Sequence, residues 1–211
     1  MVALVLASAS PARLSTLRRA GVDPDVVVSG VDEDAVLRSV TEEAGPPALA
    51  QVPLILARAK AEHVAGRLQH SGRVLVLGCD SVLELDGEVH GKPGDPHTAI
   101  ARWQGMRGRS GVLHTGHWIV ELDGNPVGRA VGATASTTVH FADLSDAEIR
   151  AYVDTGEPLQ VAGGFTVDGL GGPYVTGIEG DYHAVVGVSL PLLRDLLAEL
   201  GVAWHELCVS G

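Results

Sequence analysis

The run from Val2 to Arg13 constrains this chain most. Val2, Ala3, Leu4, Val5 and Leu6 form an unbroken apolar stretch that reads as a buried strand. Ala7, Ser8, Ala9, Ser10 and Pro11 break it, and Leu14, Leu17 and Ala20 follow at helical spacing. A strand that passes through small residues straight into a helix gathers unpaired N–H groups and the positive dipole end at one point, which suits an anion. Ser8 and Ser10 add hydroxyl donors, and Arg13 adds a planar positive fork that matches phosphate oxygens. The same residues also fit a local role, with Ser10 as helix cap, Pro11 at the first helical position and Arg13 in solvent. The two roles are compatible.

Downstream, strand-like and helix-like stretches are mixed. Val26–Val28 is a short β-type run that leads into an acidic loop, Val31-Asp32-Glu33-Asp34. Pro46 and Pro47 mark a helix start, and Leu49 to Leu68 carries a helical pattern that includes Lys60. Val74–Leu77 reads as a second buried strand ending at Gly78-Cys79-Asp80-Ser81, with Asp80 at the turn; strand character resumes over Val82–Leu85. Asp86-Gly87 is a hairpin signal whose returning arm runs into Gly91-Lys92-Pro93. A helix is expected over Asp95–Met106, long strands over Val112–Leu122 and Arg129–Phe141 with a turn at Asp123-Gly124, a helix to Val153 capped by Asp143-Leu144-Ser145-Asp146, a glycine-rich stretch over Val161–Gly172 and a terminal helix over Leu190–Leu200. This order predicts an α/β fold built on a mixed, twisted sheet flanked by helices, as a single domain over residues 1–211.

The formal net charge of −11 argues against non-specific nucleic-acid binding, which needs a basic face. It leaves room for a small phosphorylated ligand held by a few local cations or by a carboxylate-bound metal. No apolar run is long enough to span a membrane, and no basic segment precedes an apolar one at the N-terminus, so a cytoplasmic protein is expected. Two cysteines, Cys79 and Cys208, make neither a disulfide framework nor a zinc site. His114 and His117 sit at odd spacing in a strand and point to opposite faces, which argues against a histidine-ligated metal.

Several segments together resemble the Maf family. Leu6-Ala7-Ser8-Ala9-Ser10-Pro11-Ala12-Arg13 is similar to its Leu-Ala-Ser-x-Ser-Pro-Arg-Arg signature, with Ala12 where the first arginine is common. Val31-Asp32-Glu33, Ala59-Lys60-Ala61, Gly78-Cys79-Asp80-Ser81, Gly91-Lys92-Pro93, Glu157-Pro158, Ala162-Gly163 and Val186-Gly187-Val188-Ser189-Leu190-Pro191 follow in the family's order. The resemblance implies two lobes with a central cleft, a fold shared with inosine-triphosphate pyrophosphatases, and a homodimer. It implies hydrolysis of a nucleoside triphosphate to the monophosphate and pyrophosphate with a divalent metal cation, Mg²⁺ or Mn²⁺. Asp80 would then be the catalytic base and, with Glu33, a metal ligand; Ser8, Ser10, Arg13, Lys60 and Lys92 would hold phosphates. The alternative is a non-catalytic nucleotide-binding regulator of cell division. Asp168 stands where thymidine- and uridine-type members carry Gln, while Leu159 and Phe165 are closer to the branch that acts on 7-methyl-GTP.

Overall fold

The computed structural model describes residues 2–70, 72–124 and 128–208. In chain order the elements are β1 (Ala3–Leu6), α1 (Pro11–Arg19), β2 (Asp25–Val26), α2 (Glu33–Ala44), α3 (Val52–Ala65), β3 (Arg73–Leu85), β4 (Glu88–His90), α4 (Pro96–Met106), β5 (Ser110–Asp123), β6 (Ala130–Phe141), α5 (Asp146–Asp154), β7 (Val175–Glu179), α6 (Tyr182–Val186) and α7 (Leu190–Glu199). Short 3₁₀ turns occupy much of 157–174. The strands form one seven-stranded mixed sheet in the order β2-β1-β3-β5-β6-β7, with β4 added to β3. β1 runs parallel to β2 and β3, whereas β4 and β7 are antiparallel to β3 and β6. The mixed α/β sheet read from the sequence is therefore present. Among the described residues, no helix is long and apolar enough to cross a membrane.

Two expectations are corrected. The acidic run is not a loop: Asp32 caps α2, its carboxylate accepting from Ala35 N at 2.9 Å, and Glu33 is the first helical residue. Acidic side chains suit the positive end of a helix, so the run starts one. The second correction concerns Asp80, which lies inside a 13-residue strand rather than at its end. Gly78 does not stop β3. It lets α3 come close, since a Cβ there would lie 2.0 Å from Ala57 O. The residues that follow the turn expected at Asp123-Gly124, 125–127, lie outside those described.

The chain divides into two compact units. The first comprises Met1–Asp80, Thr115–Ala135 and Gly187–Gly211; the second comprises Ser81–His114 and Ser136–Val186. Period-two alternation sorts the first unit's side chains into two cores. Leu4, Leu6, Leu75, Leu77 and Cys79 pack with Leu17 of α1 and with Leu193 and Leu197 of α7. Val5, Ala7, Val74 and Val76 pack on the other side with Ala61 and Val64 of α3. Asp80 continues the even-numbered series of β3, so it emerges on the α3 side. Gly116 of β5 repeats the device of Gly78, because a Cβ there would lie 2.4 Å from the backbone of Pro53 and Leu54.

The second unit is built around Trp103, which is fully buried and donates Nε1–H to Gly164 O at 2.8 Å. Phe141, Tyr152 and Tyr174 meet its ring edge-on, with centroids 5.6–6.0 Å away. Asp86 and Gly87 have φ of 56° and 78°, and two successive positive values define the tight turn that the hairpin signal calls for.

Candidate active site

The loop after β1 becomes a helix start of the expected kind. Ser10 caps α1 by accepting from Arg13 N at 3.4 Å, and Pro11 opens the helix. Ser8 is buried, and its hydroxyl oxygen accepts from Ser10 N at 3.2 Å and from Arg13 Nη1 at 3.0 Å. Arg13 is not a solvated side chain. Its Nη1 also donates to Cys79 O at 2.9 Å, and its Nε donates to Gly187 O at 2.8 Å. The guanidinium thus ties the α1 loop to β3, one residue before Asp80, and to the turn that enters α7. Gly187 has φ of +125°, and a Cβ there would press on Arg13 Nε at 3.1 Å. The anchoring carbonyls of Cys79 and Gly187 escape a sequence reading because backbone acceptors have no side-chain signature. The only trace at position 187 is the glycine.

Lys60 is the centre of the charged group. Its side chain is 12% exposed, and Nζ donates to Asp80 Oδ1 at 2.5 Å and pairs with Glu33 Oε1 at 2.7 Å. Gly78 makes this possible, since the backbone of α3 on either side of Lys60, at Ala57 and Ala61, lies against it. Burial pushes the Asp80 carboxyl above its ordinary value, against the opposing pull of Lys60 and Arg13. Burial likewise pushes the Cys79 thiol up to about 11. The structure therefore gathers Ser8, Ser10, Arg13, Glu33, Lys60 and Asp80 within the first unit. Lys92 belongs to the second unit; it is exposed, and Pro93 beside it is buried.

Two carboxylates from different elements converge on one cation, and both are hard oxygen donors. That donor set fits Mg²⁺ or Mn²⁺, which are held by one or two carboxylates while water and phosphate oxygens complete the shell. Among the described residues, no group of three or more His, Cys, Asp and Glu is placed to hold a metal. The two strand histidines are engaged elsewhere. His114 contacts Glu84 Oε2 at 2.9 Å and Ser136 Oγ at 2.8 Å. His117 contacts Thr115 O at 3.0 Å and accepts at Nε2 from Ser189 N at 2.8 Å. Of the residues compared with the 7-methyl-GTP branch, Phe165 is core, meeting Phe141 edge-on with ring centroids 5.0 Å apart, and Leu159 packs against the same cluster. Asp168 is exposed.

A mixed α/β sheet that presents a capped helix start beside a lysine-bridged carboxylate pair is equipped for phosphorylated ligands. The chain belongs to the Maf family: the family model described as Maf-like protein matches residues 3–200. A relative from Salinispora tropica, named nucleoside triphosphate pyrophosphatase, is 59% identical over 201 residues, covering 94% of this chain and 84% of the relative. A relative of the same name from Streptomyces coelicolor is 54% identical over 204 residues, covering 97% of this chain and 93% of the relative. A solved structure titled nucleoside-triphosphatase / dITP/XTP pyrophosphatase, from Mycobacterium abscessus, aligns over 95% of each chain at 16% identity and a TM-score of 0.35, which carries no assignment.

Proposed function

We propose that this chain is a nucleoside triphosphate pyrophosphatase, splitting its substrate into the nucleoside monophosphate and pyrophosphate. The observation that carries this reading is Lys60 held between Asp80 and Glu33 beside the Arg13-braced loop after β1. Attack of water at the α-phosphorus requires a proton acceptor and relief of charge on the phosphate oxygens. Asp80 is the acceptor: a carboxylate raised by burial is a better base than an exposed one, and a strand fixes its position. Lys60 supplies a mobile point charge for phosphate. Ser8 and Ser10, with the backbone N–H groups of the loop, supply neutral donors. The assignment of Lys92 to the phosphates rests on the Gly91-Lys92-Pro93 motif, as that of Arg13 rests on the family signature. A divalent cation, Mg²⁺ or Mn²⁺, held by Glu33 and Asp80, would supply further charge neutralisation at the phosphate oxygens.

Pyrophosphate release from a nucleotide panel that includes dTTP, UTP and 7-methyl-GTP, with and without Mg²⁺, tests the reading. Metal-dependent release from at least one member is expected; no release from any member overturns it. The family resemblance also supports a homodimer, which light scattering on the purified protein would check.

A further inference from the structure

The pair of carboxylates already holds a cation, and that cation is part of the chain. Lys60 Nζ lies 2.5 Å from Asp80 Oδ1 and 2.7 Å from Glu33 Oε1. Its side chain and that of Asp80 are 12% and 11% exposed, so that contact is shielded from bulk water and the two charges act on each other more strongly than they would in solvent, whereas Glu33 is 49% exposed. Each partner comes from a different element: Asp80 from β3, Lys60 from α3 and Glu33 from the first turn of α2. A cation bound by Asp80 Oδ1 and Glu33 Oε1 together would compete with the ammonium, which already contacts both oxygens. We propose that Lys60 is a built-in placeholder for the divalent cation. In the nucleotide-free protein it neutralises Glu33 and Asp80 and keeps free metal out. Phosphate, arriving with its own metal, offers the ammonium a new partner and releases the carboxylates. The flexible four-carbon stem of lysine permits this exchange, which a planar guanidinium would not match. The consequence is ordered loading, in which metal enters with the nucleotide rather than before it. This inference rests on the pyrophosphatase reading for the divalent cation at Glu33 and Asp80 and for the identity of the incoming phosphate.

The test is binding of Mn²⁺ alone, with no nucleotide present, followed by electron paramagnetic resonance of the free ion. It compares the wild-type chain with Lys60→Met, Lys60→Gln and Lys60→Arg. Removing the ammonium leaves two under-neutralised carboxylates, so Lys60→Met and Lys60→Gln are expected to bind Mn²⁺ roughly tenfold or more tightly than wild type. Lys60→Arg keeps the charge and is expected to bind as weakly as wild type. Adding Asp80→Asn to Lys60→Gln should abolish the gain. Thermal melting identifies which variants are folded, and the glutamine variant serves if the methionine one is not. Folded Lys60→Gln that binds Mn²⁺ no more tightly than wild type overturns the proposal. The two readings fail separately. Wild type that releases pyrophosphate while the Lys60 variants gain no Mn²⁺ affinity sinks the placeholder alone. A gain in affinity with no pyrophosphate from any nucleotide sinks the pyrophosphatase alone.

Discussion

Asp80 answers to two opposed influences, burial that favours its neutral form and Lys60 that favours its charge. Asp80→Asn keeps the shape and removes the proton acceptor. It is expected to lower pyrophosphate release by roughly 10²–10⁴-fold while the protein still melts cooperatively. Turnover within threefold of wild type would remove Asp80 from the role. Lys92 makes a contrasting case. Pro93 restricts it to extended backbone, and its exposed side chain adds little to the core. Lys92→Ala should leave the melting temperature unchanged and lower kcat more than KM, because charge shifts to the leaving pyrophosphate only in the transition state. Steady-state kinetics with both constants resolved would check it; unchanged kinetics would make the turn purely structural. One residue from Asp80, Cys79 is fully buried and its thiol is pushed up to about 11. The thiolate is the reactive form, so at pH 8 iodoacetamide should label Cys208 first and Cys79 only after denaturant is added. Peptide mass mapping would separate the two.

The elements owe their arrangement to a few small residues. At Gly78 a methyl group would lie 2.0 Å from Ala57 O and 2.9 Å from Ala61 N, both backbone atoms that cannot turn aside. Gly78→Ala is therefore expected to push α3 off β3, costing about 3 kcal/mol or more of stability and moving Lys60 away from Asp80. Urea unfolding and turnover would both fall; a neutral substitution would show that α3 can give way. The same glycine shows how far the sequence could be read. Hydrophobic runs, the Asp86-Gly87 turn and the capping run Asp143-Leu144-Ser145-Asp146 are local signals, and the elements they mark are present, with Ser145 as the cap of α5. Gly78 reads as a strand end because a glycine that breaks a strand and one that admits a helix are identical in sequence. Asp32-Glu33-Asp34 reads as a loop in sequence because a run of charge is the mark of a solvated turn, whereas the cap that Asp32 forms with Ala35 N is seen only in the fold. The grouping of Glu33, Lys60 and Asp80 came from the family resemblance. Its geometry did not, since partners 20 and more residues apart are set by packing. β7, α6 and the 3₁₀ turns have too few residues to leave a periodic trace.

For the molecule as a whole, the pH range of stability is tied to Glu121. Its side chain is 7% exposed and binds Arg73 and Arg129, with contacts of 2.6 and 3.0 Å. Both arginines also donate to Leu200 O at 2.7 Å, closing the C-terminal end of α7. Burial raises the Glu121 carboxyl, but hydrogen bonds from Arg129 and Arg73 outweigh it, and the net shift is downward. A carboxyl that is more acidic when folded stabilises the protein above its unfolded value, near 4.5, and that stability fades as pH falls through the lower folded value. Urea midpoints should therefore drop below about pH 4.5. In Glu121→Gln the midpoint at pH 7 should be lower and its fall over the acid range smaller. An identical acid profile in the variant would place the effect on other carboxyls.

α2 has consequences in time as well as in space. It packs on α3 with none of its side chains fully buried and only Ala35, Val36, Leu37 and Val40 half-buried, so comparatively little apolar surface is exposed when it detaches. Segments with so thin a hold open at a small fraction of the free energy needed to unfold the whole chain. In deuterated water the amides of α2 should exchange long before those of β3, whose side chains are almost all buried. Glu33 then belongs to the part of the protein that lets go first. Its contact with Lys60 is then expected to open more readily than that of Asp80, which β3 holds in place.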